Sequence, residues 1–566
     1  MILSIILGIL AIIVILICIP FPKKKQGQAI ENKILHWIEK NRKILFITII
    51  LIGSLVRIIG LGEVPRGINV DEAGMAYDAW ALANYGVDRY TNTYPCYLIN
   101  FNAGQSALYA YLTIPFIKLF GVSIWVLRLP ALIAGIGTIA LSYLIAKEIK
   151  QNKAIAIIFI ALVAICPWNI IQSRIGLDCD LMAAFFLLSI YQLLKSKKWW
   201  HYLITGFLFG ITLYTYILSW IVLPIFLILI LGYLYYLKRI NIKQIMIMAI
   251  PMAIMAIPLL LFLLINKKIL PEIELPFMTI PKLAVFRQRE LGFNNLLKNR
   301  DILKALFIED DSEFTTLPQF GTMYYCSFAF LIVGIISSIK STVCSIREKK
   351  MNLDTVFLMQ TISILACICI IDTPRAYKAN AVYPAFLYFT ALGIYWVIQK
   401  KQKLVYLVLG IYLVSFIHFE YSYFTEYKDR KMKLFNEDMI ELTNYLDKQG
   451  EKQIYFSVNI VKPYIYTLLA NKMSPYDFYQ TARFNSVGEV VEYDKYHFYS
   501  GLNKELADLG MTIEYDKDAV AEEISDDVQL DKDAIYVTNF NACIEKYRQL
   551  GLKEERYGNY YLFSYE

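Results

Sequence analysis

Charged residues are scarce in this 566-residue chain: they make up 18% of the sequence, whereas 57% of the residues are hydrophobic. A soluble domain carries roughly a quarter charged residues and about half apolar ones. This composition excludes a soluble enzyme, a disordered chain and a nucleic-acid-binding module. Repeated apolar stretches, each roughly 17–25 residues long, instead predict a polytopic α-helical membrane protein.

Paired metal ligands are also missing. The four histidines are widely scattered, and the nine cysteines include no Cys-x-x-Cys pair. A zinc or redox site is therefore not expected. Most cysteines lie in apolar segments, and the remaining candidates for an exposed position, Cys96, Cys179 and Cys543, form an odd set. A structural disulfide is therefore not expected either.

About 12 apolar segments are predicted to be membrane-spanning helices. The first, at residues 1–21, is followed by Lys23–Lys25, whereas a signal peptide carries its positive charge before the apolar core. We therefore expect this segment to be retained as a helix. The predicted spans are 1–21, 44–61, 122–146, 154–168, 180–194, 200–217, 219–237, 244–265, 322–339, 355–371, 381–398 and 404–419.

The distribution of charge predicts the orientation of these helices. One set of alternate loops holds 23 Lys and Arg residues against five Asp and Glu residues, whereas the long loop 266–321 on the other side holds eight of each. Because cytoplasmic loops carry an excess of Lys and Arg, the first set is predicted to be cytoplasmic. Both termini are then predicted to lie outside. The cytoplasmic loops are 22–43, 147–153, 195–199, 238–243, 340–354 and 399–403.

Three domains follow from this layout. Residues 1–43 would be an additional N-terminal transmembrane helix with a cytoplasmic linker, and residues 44–419 a membrane domain with outer loops 62–121 and 266–321. An amphipathic run at 104–120 predicts an interfacial helix. Residues 420–566 hold 17 basic and 27 acidic residues, and their pattern predicts a small extracytoplasmic α/β domain.

Two adjacent carboxylates, Asp71 and Glu72, stand at the start of a helical run in the first outer loop. Carboxylates near a helix N-terminus are stabilised by the helix dipole, so these residues are also consistent with an ordinary helix start. The functional interpretation is a carboxylate that accepts a proton from an attacking hydroxyl. Adjacent residues point about 100° apart on a helix, so only one of the two can face a given substrate atom.

Further charged residues cluster in the other outer loops. Arg174 and Asp178 are four residues apart, which fits either an ion pair at a helix end or the lining of an outward-facing cavity. Arg375 and Lys378 lie close to membrane depth, where a cation is costly unless it is paired. Snorkelling or pairing with Asp372 would satisfy them, and so would a lipid phosphate. Arg128, at the outer end of the third span, is of the same kind.

All of these residues lie on the same predicted face of the membrane. A cavity with one or two carboxylates and several cations fits sugar transfer from a lipid-phosphate donor, because the cations would stabilise the charge that develops on the leaving phosphate. A carboxylate would activate the acceptor hydroxyl. Direct displacement at the sugar carbon would then invert the anomeric configuration.

Three segments resemble the bacterial glycosyltransferase family 39, a group of the GT-C superfamily that contains protein O-mannosyltransferases and aminoarabinose lipid A transferases. They read VDEAGMAYDAWALANYGVDRY, GQSALYAYLTIPFIKLFG and WVLRLPALIAGIGTIALSYLIAKEI. The resemblance covers roughly residues 40–420 and is strongest over 63–196. It implies a GT-C fold of about 11 spans, which segments two to twelve would supply.

The resemblance also implies roles for particular residues. Asp71 matches the catalytic base of the family, and Glu72 its neighbour, which is implicated in acceptor or loop organisation. Arg375 matches the residue that holds the polyprenyl phosphate. Arg174 and Asp178 match the loop beside the donor pocket. The predicted donor phosphate ligands are therefore Arg128, Arg174, Arg375 and Lys378. Members of the family differ in whether a divalent metal takes part, so a metal cofactor is left open.

The sequence thus predicts a membrane glycosyltransferase, a hexosyl- or pentosyltransferase that uses a polyprenyl-phosphate-linked sugar. The predicted acceptor is an extracytoplasmic cell-envelope glycan, lipid or protein, and nucleic acid is not an expected partner. Three alternatives stay open: a flippase of lipid-linked sugars, a different enzyme of lipid-linked glycans such as a polymer ligase, and a non-enzymatic membrane scaffold or receptor. A flippase would need charged or broken helices near the bilayer midplane.

Overall fold

The protein is mostly helical in the computed structural model. The residues described are 1–19, 32–101, 103–148, 153–284, 286, 291–299, 301–308, 315–436, 438–458, 460–485, 488–498 and 530–565. The predicted linker residues Lys23–Lys25 lie outside them. The helices are α1 (Ile2–Cys18), α2 (Lys33–Lys40), α3 (Arg42–Ile58), α4 (Val70–Tyr85), α5 (Leu108–Phe120), α6 (Ile124–Leu127), α7 (Leu129–Glu148), α8 (Lys153–Ile165), α9 (Pro167–Gln172), α10 (Met182–Lys195), α11 (Trp199–Thr212), α12 (Ser219–Tyr236), α13 (Ile242–Asn266), α14 (Asn294–Lys298), α15 (Ile302–Phe307), α16 (Ser327–Glu348), α17 (Leu353–Ile368), α18 (Tyr383–Lys400), α19 (Leu404–Phe435), α20 (Met439–Asp447), α21 (Tyr464–Asn471), α22 (Pro475–Thr481) and α23 (Asn541–Gln549).

A helix stands at each of the 12 positions where the sequence predicts a span. Within the described part of the chain, six helices are long and apolar enough to cross a membrane: α7, α12, α13, α16, α18 with the turn before it, and α19 as far as Tyr427. Others are apolar but shorter, among them α1, α8 and α17. The predicted number of 12 spans therefore stays a prediction.

Glycines allow the closest packing between membrane helices. Gly334 of α16 lies against the backbone of Phe389 in α18, and Gly393 of α18 lies against the backbone of Phe330 in α16. A Cβ atom at either glycine would overlap a carbonyl group of the other helix. Small residues let helix backbones approach in this way. The two glycines therefore allow the backbones of α16 and α18 to pack in direct contact.

The first long loop contains a helix, a hairpin and a second helix. Asn69 caps α4, and the hairpin joins β1 (Tyr97–Asn100) to β2 (Ala103–Ser106) before α5 begins at Leu108. The predicted interfacial helix at 104–120 is therefore too long at its N-terminal end. Its first residues pair with β1, where Gly104 lies against the ring of Tyr97 because it has no side chain.

The C-terminal part contains a seven-stranded mixed sheet. Its strand order is β10-β11-β9-β5-β8-β7-β6, with β5 parallel to both β8 and β9 and the other pairs antiparallel. The strands of this sheet are β5 (Gln453–Ser457), β6 (Arg483–Phe484), β7 (Val490–Tyr493), β8 (Tyr496–Phe498), β9 (Ala534–Thr538), β10 (Lys553–Tyr557) and β11 (Tyr560–Ser564). A separate short hairpin joins β3 (Glu274–Leu275) to β4 (Met278–Thr279).

The helix α19 leads without a break from the membrane helices towards this sheet. The domain boundary predicted at residue 420 lies inside it. The end of α19 and the C-terminal part that follows it both form hydrogen bonds with the first loop. The Ile68 amide donates to the Phe435 carbonyl at 2.6 Å, and the Tyr77 hydroxyl donates to the Met473 carbonyl at 2.6 Å. The C-terminal part thus rests on the helix that carries Asp71 and Glu72.

Candidate active site where three loops meet

The N-terminus of α4 positions the two adjacent carboxylates. The Asn69 side chain accepts hydrogen bonds from the amides of Asp71 and Glu72, and the Glu72 side chain accepts one from the Asn69 amide, which completes a capping box. Asp71 is only partly buried, whereas Glu72 is fully buried. The two side chains therefore have different surroundings, as their helical spacing requires.

The carboxylate of Glu72 is held entirely by protein groups. Arg128 donates to both of its oxygens, from Nε at 2.9 Å and from Nη2 at 3.1 Å. The Gly176 amide donates to Oε1 at 2.6 Å, and the Asn69 side chain donates to Oε2 at 3.1 Å. Glu72 thus joins α4, the start of α7 and the second loop at one buried point.

Arg128 is fully buried, and its remaining bonds go to the first loop. Nη1 donates to the Pro65 carbonyl at 2.7 Å, Nη2 donates to the Gly67 carbonyl at 2.8 Å, and the guanidinium lies over the ring of Phe435. The predicted phosphate contact of Arg128 stays a prediction. The contacts that the structure gives it fix the first loop to α7.

Arg174 is similarly enclosed. It donates to five backbone carbonyls at the end of α3 and just beyond it, those of Val56, Arg57, Ile59, Gly60 and Val64, at 2.7–3.2 Å. It does not pair with Asp178, although the spacing allowed such an ion pair. Because the last carbonyls of a helix lack partners within it, Arg174 acts as a side-chain cap for α3. Its predicted role towards the donor phosphate also stays a prediction.

Asp178 links the second loop to the first. Its Oδ2 accepts the Ser106 amide at 2.9 Å, and its Oδ1 accepts the Cys179 amide at 2.9 Å. Burial raises the pKa of Asp178 to about 7; the two amide bonds oppose this rise, and the nearby charge of Asp71 adds to it. Asp71 and Asp178 therefore interact electrostatically, and with a pKa of about 7 the Asp178 carboxyl group is only partly ionised near neutral pH.

The late loop meets the second loop through Asn380. Its Nδ2 donates to the Cys179 carbonyl at 3.1 Å and to Asp180 Oδ1 at 3.2 Å, and its Oδ1 accepts the indole N–H of Trp168. Arg375 and Lys378 stand a few residues earlier in the same loop and are half-buried. Lys378 Nζ donates to the Thr373 hydroxyl at 2.7 Å.

The three loops therefore converge. Glu72 and Asp178 tie the first loop to the second, and Asn380 ties the second to the third. The sequence places these loops on one face of the membrane but does not show that they meet. It also gives no sign of the role of Asn100, whose Nδ2 donates to Asp71 Oδ1 at 3.0 Å. A single asparagine in a short hairpin carries no recognisable sequence signal.

The described residues also bear on the divalent metal that the sequence left open. Among them, no three His, Cys, Asp or Glu side chains are grouped in a way that could hold a metal ion. The oxygens of Glu72 and Asp178 already accept hydrogen bonds from amides or arginine. Metal dependence stays an open prediction.

Comparisons with known proteins agree with this architecture. Residues 98–270 match the family model described as dolichyl-phosphate-mannose-protein mannosyltransferase. The structure is similar to that of ArnT from Cupriavidus metallidurans bound to undecaprenyl phosphate, with a TM-score of 0.53, 11% identity, and coverage of 92% of this chain and 98% of ArnT. The oligosaccharyltransferase of Archaeoglobus fulgidus, in complex with zinc and sulfate, gives a TM-score of 0.48 at 13% identity, covering 87% of this chain and 67% of that one. Comparison with curated protein sequences found no match.

The chain thus has a fold similar to that of ArnT, and by length and composition six helices of its described part could cross a membrane. The resemblance to the mannosyltransferase and aminoarabinose transferase group is confirmed by the family match and by this structural likeness.

Proposed function

We propose that this protein is a membrane glycosyltransferase that moves a sugar from a polyprenyl-phosphate-linked donor to an extracytoplasmic acceptor. The observation that carries this proposal is the partly buried carboxylate of Asp71 at the meeting point of three loops, the third of which bears Arg375 and Lys378. A base and a pair of cations are the groups that displacement of a lipid phosphate needs.

The reaction follows from these groups. Asp71 accepts the proton of the acceptor hydroxyl as its oxygen attacks the anomeric carbon of the donor sugar. The bond between that carbon and the phosphate oxygen breaks, and the phosphate leaves with the bonding electrons. Arg375 and Lys378 stabilise the additional negative charge on the phosphate. One displacement of this kind inverts the anomeric configuration.

The buried groups support this chemistry without reaching the substrate. Glu72 and Arg128 hold the start of α4 to α7 and the second loop, and Arg174 holds the end of α3. We therefore divide the predicted set of site residues in two. Asp71, Arg375 and Lys378 contact the reactants, and Glu72, Arg128, Arg174 and Asp178 keep the loops in place.

The comparisons support the choice of donor. The ArnT structure contains undecaprenyl phosphate, and the matched family model is described by a dolichyl-phosphate sugar. Both molecules are polyprenyl-type phosphates, so the common chemistry is a lipid phosphate leaving group. The acceptor is less constrained, and a cell-envelope glycan, a lipid and a protein are all compatible with the site. We also propose that the site faces outward, as the loop charges predict.

Membrane vesicles that contain the protein test the proposal. They are supplied with a panel of polyprenyl-phosphate sugars carrying a radiolabelled sugar, and the label is followed into lipid, protein and polymer fractions. Asp71→Asn is compared with Glu63→Gln, which changes an exposed carboxylate of the same loop. At matched expression, we expect transfer in wild type and Glu63→Gln and at least a 100-fold loss in Asp71→Asn.

Each alternative has a distinct outcome. Equal transfer in wild type and Asp71→Asn would remove Asp71 as the base but leave a transferase. Movement of labelled lipid between leaflets without release of its sugar would replace the transferase by a flippase. Neither consumption nor movement of any donor would favour a scaffold or receptor.

A further inference from the structure

A row of buried polar side chains leads to Asp71 from the far side of the first loop. It starts at Asp78, nearly two turns beyond Glu72 on α4, and continues through Arg89 in the turn that follows the helix. Arg89 donates to Asp78 from Nε at 2.9 Å and from Nη2 at 2.7 Å, and its own amide donates to Asp78 Oδ1 at 3.1 Å. Asp78 is 1% exposed and Arg89 is 0% exposed, so this ion pair is excluded from water.

The row continues through Asn100 to Asp71. Arg89 Nη2 donates to Asn100 Oδ1 at 3.3 Å, and Asn100 Nδ2 donates to Asp71 Oδ1 at 3.0 Å. A guanidinium offers only donors and a carboxylate only acceptors, so each can face one end of the amide alone. The orientation of the Asn100 amide is therefore determined by its two neighbours.

The space for this arrangement depends on a glycine. Gly74 lies one turn after Asp71, and a Cβ atom there would lie 2.6 Å from Arg89 Nη2 and 2.6 Å from Asn100 Oδ1. Glycine inside a helix is destabilising relative to alanine, so its presence here needs a reason. Here it leaves room for the hydrogen bond between Arg89 and Asn100.

We propose that Asp78, Arg89 and Asn100 are positioning residues that hold the Asp71 carboxylate in one orientation, as a hydrogen-bond acceptor ready to take a proton. None of the three needs to touch the substrate. The inference rests on the proposed function, because it concerns how the base of that reaction is held. It assigns a role to the turn and hairpin between α4 and α5, which the sequence motifs left without one.

The hydrogen bond from Asn100 favours the charged form of Asp71. Other groups that act on Asp71 or lie beside it are Glu72 on the same helix, Asp178 and Cys179 from the second loop, and Tyr466 from α21. The anionic ones oppose ionisation of Asp71. The hydrogen bond from Asn100 therefore counters the effect of Asp178, whereas the charge of Arg89 is balanced by Asp78.

The test compares pH profiles of sugar transfer in vesicles. Asn100→Asp keeps the acceptor for Arg89 but replaces the donor to Asp71 with a like charge. We expect transfer at pH 7 to fall roughly 10- to 100-fold, with little change in the KM for the donor. The acid limb of the kcat/KM profile should move up by roughly one to two pH units.

Gly74→Ala provides a second variant, with Gly137→Ala in α7 as its control, because a Cβ atom at Gly137 meets nothing within 4 Å. Gly74→Ala should lose transfer while its melting temperature stays within a few degrees of wild type, and Gly137→Ala should keep both. Asp78→Asn, which weakens the hold on Arg89, should lower transfer in the same sense as Asn100→Asp but by a smaller factor.

The outcomes separate this inference from the proposed function. If Asp71→Asn abolishes transfer but Asn100→Asp shows the wild-type rate and profile, the positioning role is overturned and the transferase stands. A parallel loss at every pH with a lowered melting temperature would likewise overturn it in favour of a folding role. If Asp71→Asn transfers sugar normally, the base assignment fails and the positioning role fails with it.

Discussion

Removing the guanidinium of Arg128 should destabilise the protein because it leaves the Glu72 carboxylate buried without a countercharge. Both side chains are 0% exposed. Breaking a buried ion pair by truncating one partner costs about 3–5 kcal/mol. Arg128→Met should therefore lower the melting temperature by several degrees.

The measurement is thermal unfolding of the detergent-solubilised protein, followed by tryptophan fluorescence and by loss of the monodisperse peak. Lys118→Met serves as the control, because it removes an exposed cation at the end of α5. Adding Glu72→Gln to Arg128→Met removes the uncompensated charge. The double variant should recover a large part of the lost stability, and the coupling between the two sites should exceed about 1 kcal/mol.

The same variants decide between two roles for Arg128. A scaffold role predicts a lowered melting temperature with a donor KM close to that of wild type in the protein that stays folded. An unchanged melting temperature together with a donor KM raised tenfold or more would refute this reasoning. It would assign Arg128 to the donor phosphate, as the sequence first predicted.

Two further predictions concern pH and orientation. Because burial raises the pKa of Asp178 to about 7, the folded protein retains a proton that the unfolded chain releases above about pH 4, and stability falls as the pH rises through this interval. The melting temperature of wild type should therefore fall more between pH 5 and 8 than that of Asp178→Asn, and equal slopes would contradict this. Of the nine cysteines, Cys344 alone is exposed, in a loop predicted to be cytoplasmic. A membrane-impermeant maleimide should label it in inverted vesicles but not in intact cells, whereas Lys448→Cys in a Cys344→Ser background should react in intact cells; the opposite pattern would reverse the proposed orientation.

The positions of the membrane helices could be predicted because long apolar runs carry that information locally. Helices stand where the sequence placed spans, and the start of α4 lies at Asp71 and Glu72 as expected. Both interpretations of this pair have a counterpart in the structure. Glu72 completes the capping box of α4, which corresponds to an ordinary helix start. Asp71 is partly exposed at the candidate active site, which corresponds to the functional interpretation.

The partners of the arginines could not be predicted. Arg174 bonds to carbonyls more than 100 residues away, and Arg128 bonds to a loop more than 50 residues away. Such contacts depend on how the helices pack. Every residue has a backbone carbonyl, so a single sequence does not indicate which carbonyls will accept hydrogen bonds from an arginine. A cation at the end of a membrane helix looks the same in the sequence whether it holds a phosphate or a loop.

The role of Asn100 was hidden for a different reason. The apolar pattern from Gly104 onward favoured a helix, although the first residues of that run form a strand. Strand pairing with Tyr97–Asn100 overrides the local pattern because both strands are short and Gly104 admits close contact. Once the hairpin is in place, Asn100 lies beside Asp71, and the polar row from Asp78 is complete.

The helix α19 is longer than the hydrocarbon core of a bilayer is thick. Its 32 residues span about 48 Å at 1.5 Å per residue, whereas the hydrocarbon core of a bilayer is about 30 Å thick. If α19 crosses this core, roughly 18 Å of the unbroken helix extends beyond it towards the C-terminal sheet. Because the C-terminal part is seated on the first loop through the bonds of Ile68 and Tyr77, lengthening or shortening α19 by one turn, about 5.4 Å, would put these contacts out of register with α4.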